Sequence, residues 1–240
     1  MAMIQIAATD GAGSFDCLVA MPKSQPAGGT PEARGTVVLI QEIFGINSAM
    51  RALSDWVADM GFIALTPDLF WRLQKNVVLE PDQGQAQWEQ AFKFMNDFDQ
   101  EKGLADIAAV IAHGRTMEGS NGKVGTVGFC LGGRMAFKAA TGTDADGNVS
   151  YYGVMLDALV AENPTFRGPL LMHIAEKDKF VPPEAQAKIL EGVKGNPKVT
   201  AHVYPGVDHA FARMGGQAWD GRAATIANGR TAEFLVKHLA

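Results

Sequence analysis

The segment Gly128-Phe129-Cys130-Leu131-Gly132-Gly133 constrains this chain more than any other. It follows a short apolar run, Val124 to Val127, and precedes a helix-forming stretch, Arg134 to Ala140. Strand, tight turn and helix around one reactive side chain make a nucleophile elbow of the G-x-S-x-G type, with cysteine in the serine position. The turn lifts that side chain above the end of a sheet, and small flanking residues let strand and helix pack closely. The first N–H groups of the helix have no intrahelical partner and can face an oxyanion.

The pattern around the elbow is that of an α/β protein. Ser14 to Met21 reads as an early strand closed by Pro22, and Lys23 to Arg34 as a surface connection rich in Pro, Gly and small residues. Gly35 to Gln41 is a continuous apolar run of the kind buried on both faces of a parallel sheet. Asn47 offers an N-cap to a helix over Ala49 to Met60, and Phe62 to Thr66 is the next strand. Asp68 to Phe98 is less regular. There Trp88, Phe92 and Met95 share one helical face, read as core, with the roof of a pocket as the alternative. A helix over Leu104 to His113, strands over Val149 to Val154, Pro169 to Ala175 and Thr200 to Tyr204, and helices over Pro183 to Gly192 and Ala223 to His238 complete the pattern. Alternating strands and helices predict one domain over residues 1–240, an open, mostly parallel sheet covered on both faces.

A neutral thiol is a weak nucleophile, with a free pKa near ~8.5, so Cys130 needs a base and the base an orienting acid. Among the histidines after Cys130, His173 and His202 fall inside strands and His238 in the last helical turn. His209 alone sits in a loop just past a strand, where catalytic residues gather. For the acid, Asp178 follows the Pro169–Ala175 strand by three residues. A carboxylate there can fix the tautomer of an imidazole. Glu176, Asp157 and Asp208 are weaker rivals.

The loop Gln41-Glu42-Ile43-Phe44-Gly45 follows the first central strand. With Leu131 N–H, its Ile43 N–H is a candidate oxyanion donor. Glu42 reads either as a structural hydrogen-bonding partner or as a second base acting on the thiol. Arg72 and Arg213 are candidates for a forked contact to a substrate carboxylate.

Composition narrows the function classes. The chain has 240 residues and a net charge of −5, which argues against a nucleic-acid partner. Its two cysteines, Cys17 and Cys130, give no disulfide framework, and Cys17 reads as a buried inert thiol. No apolar run approaches the ~20 residues of a membrane span, and the first ten residues lack the charges of a leader, so the expectation is a cytoplasmic protein off the membrane. No H-E-x-x-H, paired C-x-x-C, dinucleotide or P-loop pattern is present, so neither metal nor cofactor is expected. No helix face suggests a dimer seam, and a monomer is the default.

These residues together resemble the dienelactone hydrolase family of the α/β-hydrolase superfamily. The resemblance runs from about residue 35 to the end. It is carried by Gln41 to Asn47, Pro67 to Phe70 with Arg72, Asn121 to Gly125, the elbow, Tyr151 to Gly153, Asp178 with Phe180 to Pro182, and His209 to Arg213. It implies an eight-stranded α/β-hydrolase core and a Cys130–His209–Asp178 triad. Glu42 would hold the resting thiol and help to deprotonate it. Arg72 and Arg213 would bind the substrate carboxylate, and Tyr152 would line the pocket. The implied reaction is hydrolysis of a dienelactone to maleylacetate, with a small-molecule lactone or ester as the only partner. Trp71, beside Arg72, is expected to reshape the pocket. Asp208 and Ala210, on either side of His209, depart from residues seen in some members. A broader carboxylesterase or thioesterase, a non-catalytic binding protein of the same fold and a redox sensor are the alternatives.

Overall fold

The computed structural model describes residues 1–22, 34–162 and 164–240. Its centre is an eight-stranded sheet: β1 (Ala2–Ala7), β2 (Ser14–Ala20), β3 (Arg34–Ile40), β4 (Ile63–Pro67), β5 (Ser120–Phe129), β6 (Gly147–Tyr151), β7 (Leu170–Ala175) and β8 (Val199–Tyr204). The spatial order is β1-β2-β4-β3-β5-β6-β7-β8. The pairs β1–β2 and β2–β4 are antiparallel, and every pair from β4 through β3 to β8 is parallel. The helices are α1 (Ser48–Asp59), α2 (Gln85–Asp97), α3 (Gln100–Thr116), α4 (Leu131–Gly142), α5 (Leu156–Ala161), α6 (Pro183–Val193) and α7 (Gly221–Leu239). Strand order and helix placement are those of the α/β-hydrolase fold.

β3 shows why the central strands carry no polar face. Successive side chains point to opposite sides of a strand. Val37 and Leu39 pack with Leu53 and Val57 of α1 and with Leu235 and Leu239 of α7. Val38 and Ile40 pack with Ile107, Val110 and Ile111 of α3. Each such side chain, fully removed from water, contributes about 1.5–3 kcal/mol. The same strand ends against the site, so packing on both faces fixes where the Gln41–Gly45 loop begins.

The structure modifies the sequence reading at three places. β1 was not anticipated; it is an edge strand with only Ile6 fully buried, too exposed for a marked apolar pattern. The strand expected over Val149 to Val154 stops at Tyr151, because Tyr152 and Met155 take positive φ, 38° and 52°, and α5 follows. The irregular stretch after Asp68 contains α2, whose fully buried residues are Ala91 and Phe94 rather than Trp88, Phe92 and Met95. Most of the expected surface connection, residues 23–33, lies outside the described residues. The cap expected at Asn47 is present: its side chain accepts from Met50 N–H at 3.1 Å and donates to Leu79 C=O at 3.1 Å. It thus ties the start of α1 to the loop before α2.

Candidate active site

Cys130 occupies the turn between β5 and α4 with φ 57° and ψ −114°, a conformation that only a tightly packed surround maintains in a non-glycine residue. The surround is backbone. A Cβ on Gly132 would lie 2.2 Å from Ile40 C=O, and one on Gly128 would lie 1.9 Å from Gly132 C=O. The elbow therefore admits no side chain at either position. Cys130 N–H donates to Tyr151 C=O at 3.1 Å, which fastens the turn to the end of β6. Among the described residues, Leu131 N–H at the start of α4 has no partner, and neither does Ile43 N–H in the loop after β3. Gly45 keeps that loop tight: it has φ 73°, and a Cβ there would meet Val77 C=O at 1.8 Å.

His209 and Asp178 come to Cys130 from the loops after β8 and β7. His209 Nδ1 lies 2.8 Å from Asp178 Oδ2, and both side chains are almost wholly buried. Asp178 is itself held by Phe180 N–H, which donates to Oδ1 at 2.9 Å. Burial works against a charged His209 ring. The negative charge of the Cys130 sulfur and the hydrogen bond to Asp178 outweigh it and push the pKa up to about 10. Nε2 has no partner with hydrogen-bond geometry among the described residues, so its interaction with the sulfur is mainly one of charge. A ring held by a carboxylate on one nitrogen and facing a thiol with the other can carry a proton between sulfur and substrate.

The rival acids are engaged elsewhere. Glu176 accepts from Gly206 N–H at 2.8 Å, bracing the loop after β8. Asp208 accepts from His209 N–H at 2.6 Å and from Lys179 N–H at 3.1 Å, so it ties the loops after β7 and β8 together. Burial opposes the Asp208 charge, but these two N–H groups and Lys179 hold its carboxyl below the usual range. Asp157 lies in the first turn of α5. Ala210 has φ 64° and lets the chain turn sharply after His209. His173 is bonded to Tyr204 and Thr231 inside the sheet, and burial keeps it neutral.

Glu42 and Arg213 meet beneath the cavity. Arg213 Nε donates to Glu42 Oε2 at 2.7 Å, and the guanidinium lies over the Phe44 ring at 5.2 Å. Burial opposes the charge of Arg213, but the Glu42 carboxylate raises its pKa and holds it protonated. Glu42 Oε1 and the Tyr152 hydroxyl are buried without a partner among the described residues. Burial, then the Glu42 charge, pushes the Tyr152 phenol well above its ordinary value, so it is a neutral donor. Its ring stands edge-on to His209 with centroids 5.0 Å apart.

Arg72 and Trp71 are not brought to this site. The Arg72 guanidinium is clamped by both oxygens of Asp106, at 2.9 and 2.7 Å, and by Asp10 at 2.8 and 3.2 Å. Trp71 Nε1 donates to the same Asp106 at 2.8 Å. The two line a separate cavity near Phe98 and Lys102. A strand-end position suggested proximity to Cys130; the buried Asp106 of α3, a carboxylate in need of a cation, explains the actual placement.

The cavity at Cys130 holds about 130 Å³ and also borders His209 and Arg213. Its remaining wall is apolar: Ile43 and Phe44 from one loop, Trp88, Phe92 and Met95 from α2, Val154, Met155 and Phe180 from the facing loops. The α2 face read as core is thus a roof. Sequence reasoning missed Met155 and Phe180. Phe180 lies two residues past Asp178; the positive φ of Met155 leaves no mark in the sequence. Among the described residues, no group of three or more His, Cys, Asp or Glu could hold a metal, and no helix is long and apolar enough to cross a membrane.

Comparison with known proteins agrees with this architecture. The model of the dienelactone hydrolase family matches residues 15–239. The chain is 51% identical over 237 residues to an Azospirillum brasilense protein described as "Putative carboxymethylenebutenolidase", covering 95% of each. It is 39% identical over 222 residues to the carboxymethylenebutenolidase of Pseudomonas putida, covering 92% of this chain and 91% of that one. Two solved structures show the same fold at low identity. A Klebsiella pneumoniae protein titled a "Putative Dienelactone Hydrolase" has a TM-score of 0.81 at 20% identity, covering 99% and 100% of the two chains. A dienelactone hydrolase-like promiscuous phosphotriesterase from metagenomic libraries has 0.78 at 18%, covering 100% and 99%. With a family model spanning nearly the whole chain and relatives this similar over their full length, the chain belongs to the dienelactone hydrolase family and is a hydrolase of ester or lactone bonds.

Proposed function

We propose that the chain opens the ring of an enol lactone, dienelactone to maleylacetate among them, through a thioester on Cys130. The observation that carries this is His209, buried between the Asp178 carboxylate at 2.8 Å and the charge of the Cys130 sulfur.

Cys130 Sγ, as thiolate, attacks the ring carbonyl carbon. The carbonyl oxygen takes negative charge and accepts from Ile43 N–H and Leu131 N–H, each donor of this kind being worth about 3 kcal/mol in the transition state. The ring C–O bond then breaks with its electron pair on oxygen, and protonated His209 delivers its proton there. The released enol becomes a ketone. Neutral His209 next takes a proton from water, hydroxide adds to the thioester carbon, and Sγ departs as thiolate with a free carboxylic acid formed. An enolate leaves easily, which is why a thiol suffices and why alkyl esters and amides are expected to react slowly. Glu42, whose Oε1 has no partner among the described residues, passes the thiol proton on to His209 when substrate enters, and His209 then carries it to the leaving oxygen. For a substrate that carries a carboxylate, Arg213 is the arginine bordering the cavity, and Glu42 already holds it; Arg72 is committed to Asp106 and Asp10.

A broader esterase reading draws support from the apolar lining around Cys130. Rates for the dienelactone and for p-nitrophenyl acetate, each with wild type and Cys130→Ser, separate the two. Lactone opening that collapses in the variant is the expected result. Cys130-dependent ester cleavage with negligible lactone opening would make the chain a general esterase. Lactone opening untouched by the substitution would rule out the thioester.

A further inference from the structure

The two basic groups at this cavity already have carboxylate partners before any substrate arrives. Arg213 holds Glu42 at 2.7 Å, and His209 faces Asp178 at 2.8 Å. Arg213 gives its Nε to Glu42 at 2.7 Å, and the free oxygen of Glu42 is buried beside it. A carboxylate entering here must compete with Glu42 for that guanidinium, lose its own hydration, and stand near two other negative charges. An anion moved into such surroundings without a dedicated cation is penalised. Arg72, the other candidate cation, lines a different cavity.

The walls favour a different guest. Four aromatic rings run in an unbroken series from the oxyanion loop to the catalytic base. Phe44 meets Trp88 edge-on at 4.9 Å, Trp88 meets Phe92 at 5.8 Å, Phe92 meets Phe180 at 6.3 Å, and Phe180 meets His209 edge-on at 4.8 Å. Met95 and Met155, soft side chains that adjust to flat guests, line the same cavity. The cavity holds about 130 Å³. A dry apolar cavity of about 150 Å³ accommodates benzene, so this one takes one planar ring, and a neighbouring hollow of about 210 Å³ that shares Trp88, Phe180, His209 and Arg213 gives room for a second.

We propose that the site prefers enol lactones bearing a neutral aromatic substituent over those bearing a carboxylate, with Trp88 and Phe92 setting that preference. The proposal rests on the Cys130 reading above and names the substrate class within it. The ring substituent lies under Trp88 and Phe92, the lactone carbonyl lies at Leu131 N–H, and the chemistry is unchanged.

Three lactones with the same ring test it: γ-benzylidenebutenolide, γ-carboxymethylenebutenolide and γ-methylenebutenolide. The wild-type chain is expected to show kcat/KM about tenfold higher for the benzylidene than for the carboxymethylene compound, the scale of one well-placed aromatic contact plus an avoided desolvation. Trp88→Ala should lower the ratio of benzylidene to methylene kcat/KM by about tenfold, mainly through KM. Trp88→Phe, which keeps a ring and guards against a misfolded alanine variant, should hold that ratio within about threefold. Equal rates, or a preference for the carboxymethylene lactone that disappears in Cys130→Ser, would overturn this proposal and leave the thioester mechanism standing. Failure to open any of the three would overturn both.

Discussion

Arg72 lies in the segment after β4 and Arg213 in the segment after β8, and each is held by a buried carboxylate, yet their surroundings differ in one respect. Around Arg72 no buried side-chain nitrogen or oxygen is left without a partner among the described residues. Asp106 accepts from Trp71 Nε1 and twice from Arg72, and Asp10 accepts twice more. Around Arg213 satisfaction is incomplete: Glu42 Oε1, the Tyr152 hydroxyl and His209 Nε2 are buried with no partner among the described residues. Folding alone favours the first arrangement, because an unpaired buried polar group costs about 1–3 kcal/mol. The second is what a site poised for a substrate and a moving proton looks like. Backbone conformation separates the regions the same way. Of the five non-glycine residues with positive φ among those described, Cys130, Tyr152, Met155 and Ala210 surround the cavity or stand beside His209, while Asn76 alone lies in the loop beyond Arg72.

The largest expected effect lies at the thiol. Cys130→Ala should lower kcat/KM for an enol lactone by about 10⁴-fold or more, and a stopped-flow assay that finds less than tenfold would remove the distinction between the two regions. Next is Asp178→Asn, expected to cost about a thousandfold, since the imidazole loses its orienting carboxylate.

That variant also shifts the pH profile. His209 is raised from 6.5 to about 10, so kcat/KM should fall as pH rises through about 10 in wild type, and the limb should move toward neutrality in Asp178→Asn. The same shift affects stability. The folded chain binds this proton more tightly than the unfolded one, so its contribution is complete below 6.5 and is lost as pH rises through about 10. Urea titrations at pH 7 and pH 10 should show a drop that His209→Gln lacks.

Smaller in activity but large in stability is Arg72→Met. It strands Asp106 in the interior and should cost about 3 kcal/mol by urea unfolding, while kcat/KM stays within about threefold. A hundredfold loss of activity at full stability would return Arg72 to the active site. Smallest is Cys17→Ala. Cys17 is fully buried, and burial pushes its thiol far up. A thiol reagent at neutral pH should label Cys130 and leave Cys17 untouched, with stability changed by about 1 kcal/mol.

The contrast between the two arginines also marks how far the sequence could be read. The elbow, the strand-end loops and the pairing of His209 with Asp178 were legible because each depends on local pattern and chain order. The burial of β3 on both faces was legible from its unbroken apolar run. What was not legible depends on distant residues. Nothing near Arg72 announces Asp106, which lies 34 positions away on α3. Nor does the helical face of Trp88, Phe92 and Met95 say whether it meets a core or an empty cavity, since both demand the same apolar residues. β1 escaped notice because an exposed edge strand needs little apolar pattern.

Rapid acid quench followed by mass spectrometry reads the covalent bond between Cys130 and the opened substrate itself. A lactone loses no fragment on acylation, so the chain should gain the full mass of the substrate, carried on the peptide containing Cys130, and the adduct should be absent from Cys130→Ala. Continued turnover by Cys130→Ala, or an adduct on another residue, would rule out acylation of Cys130.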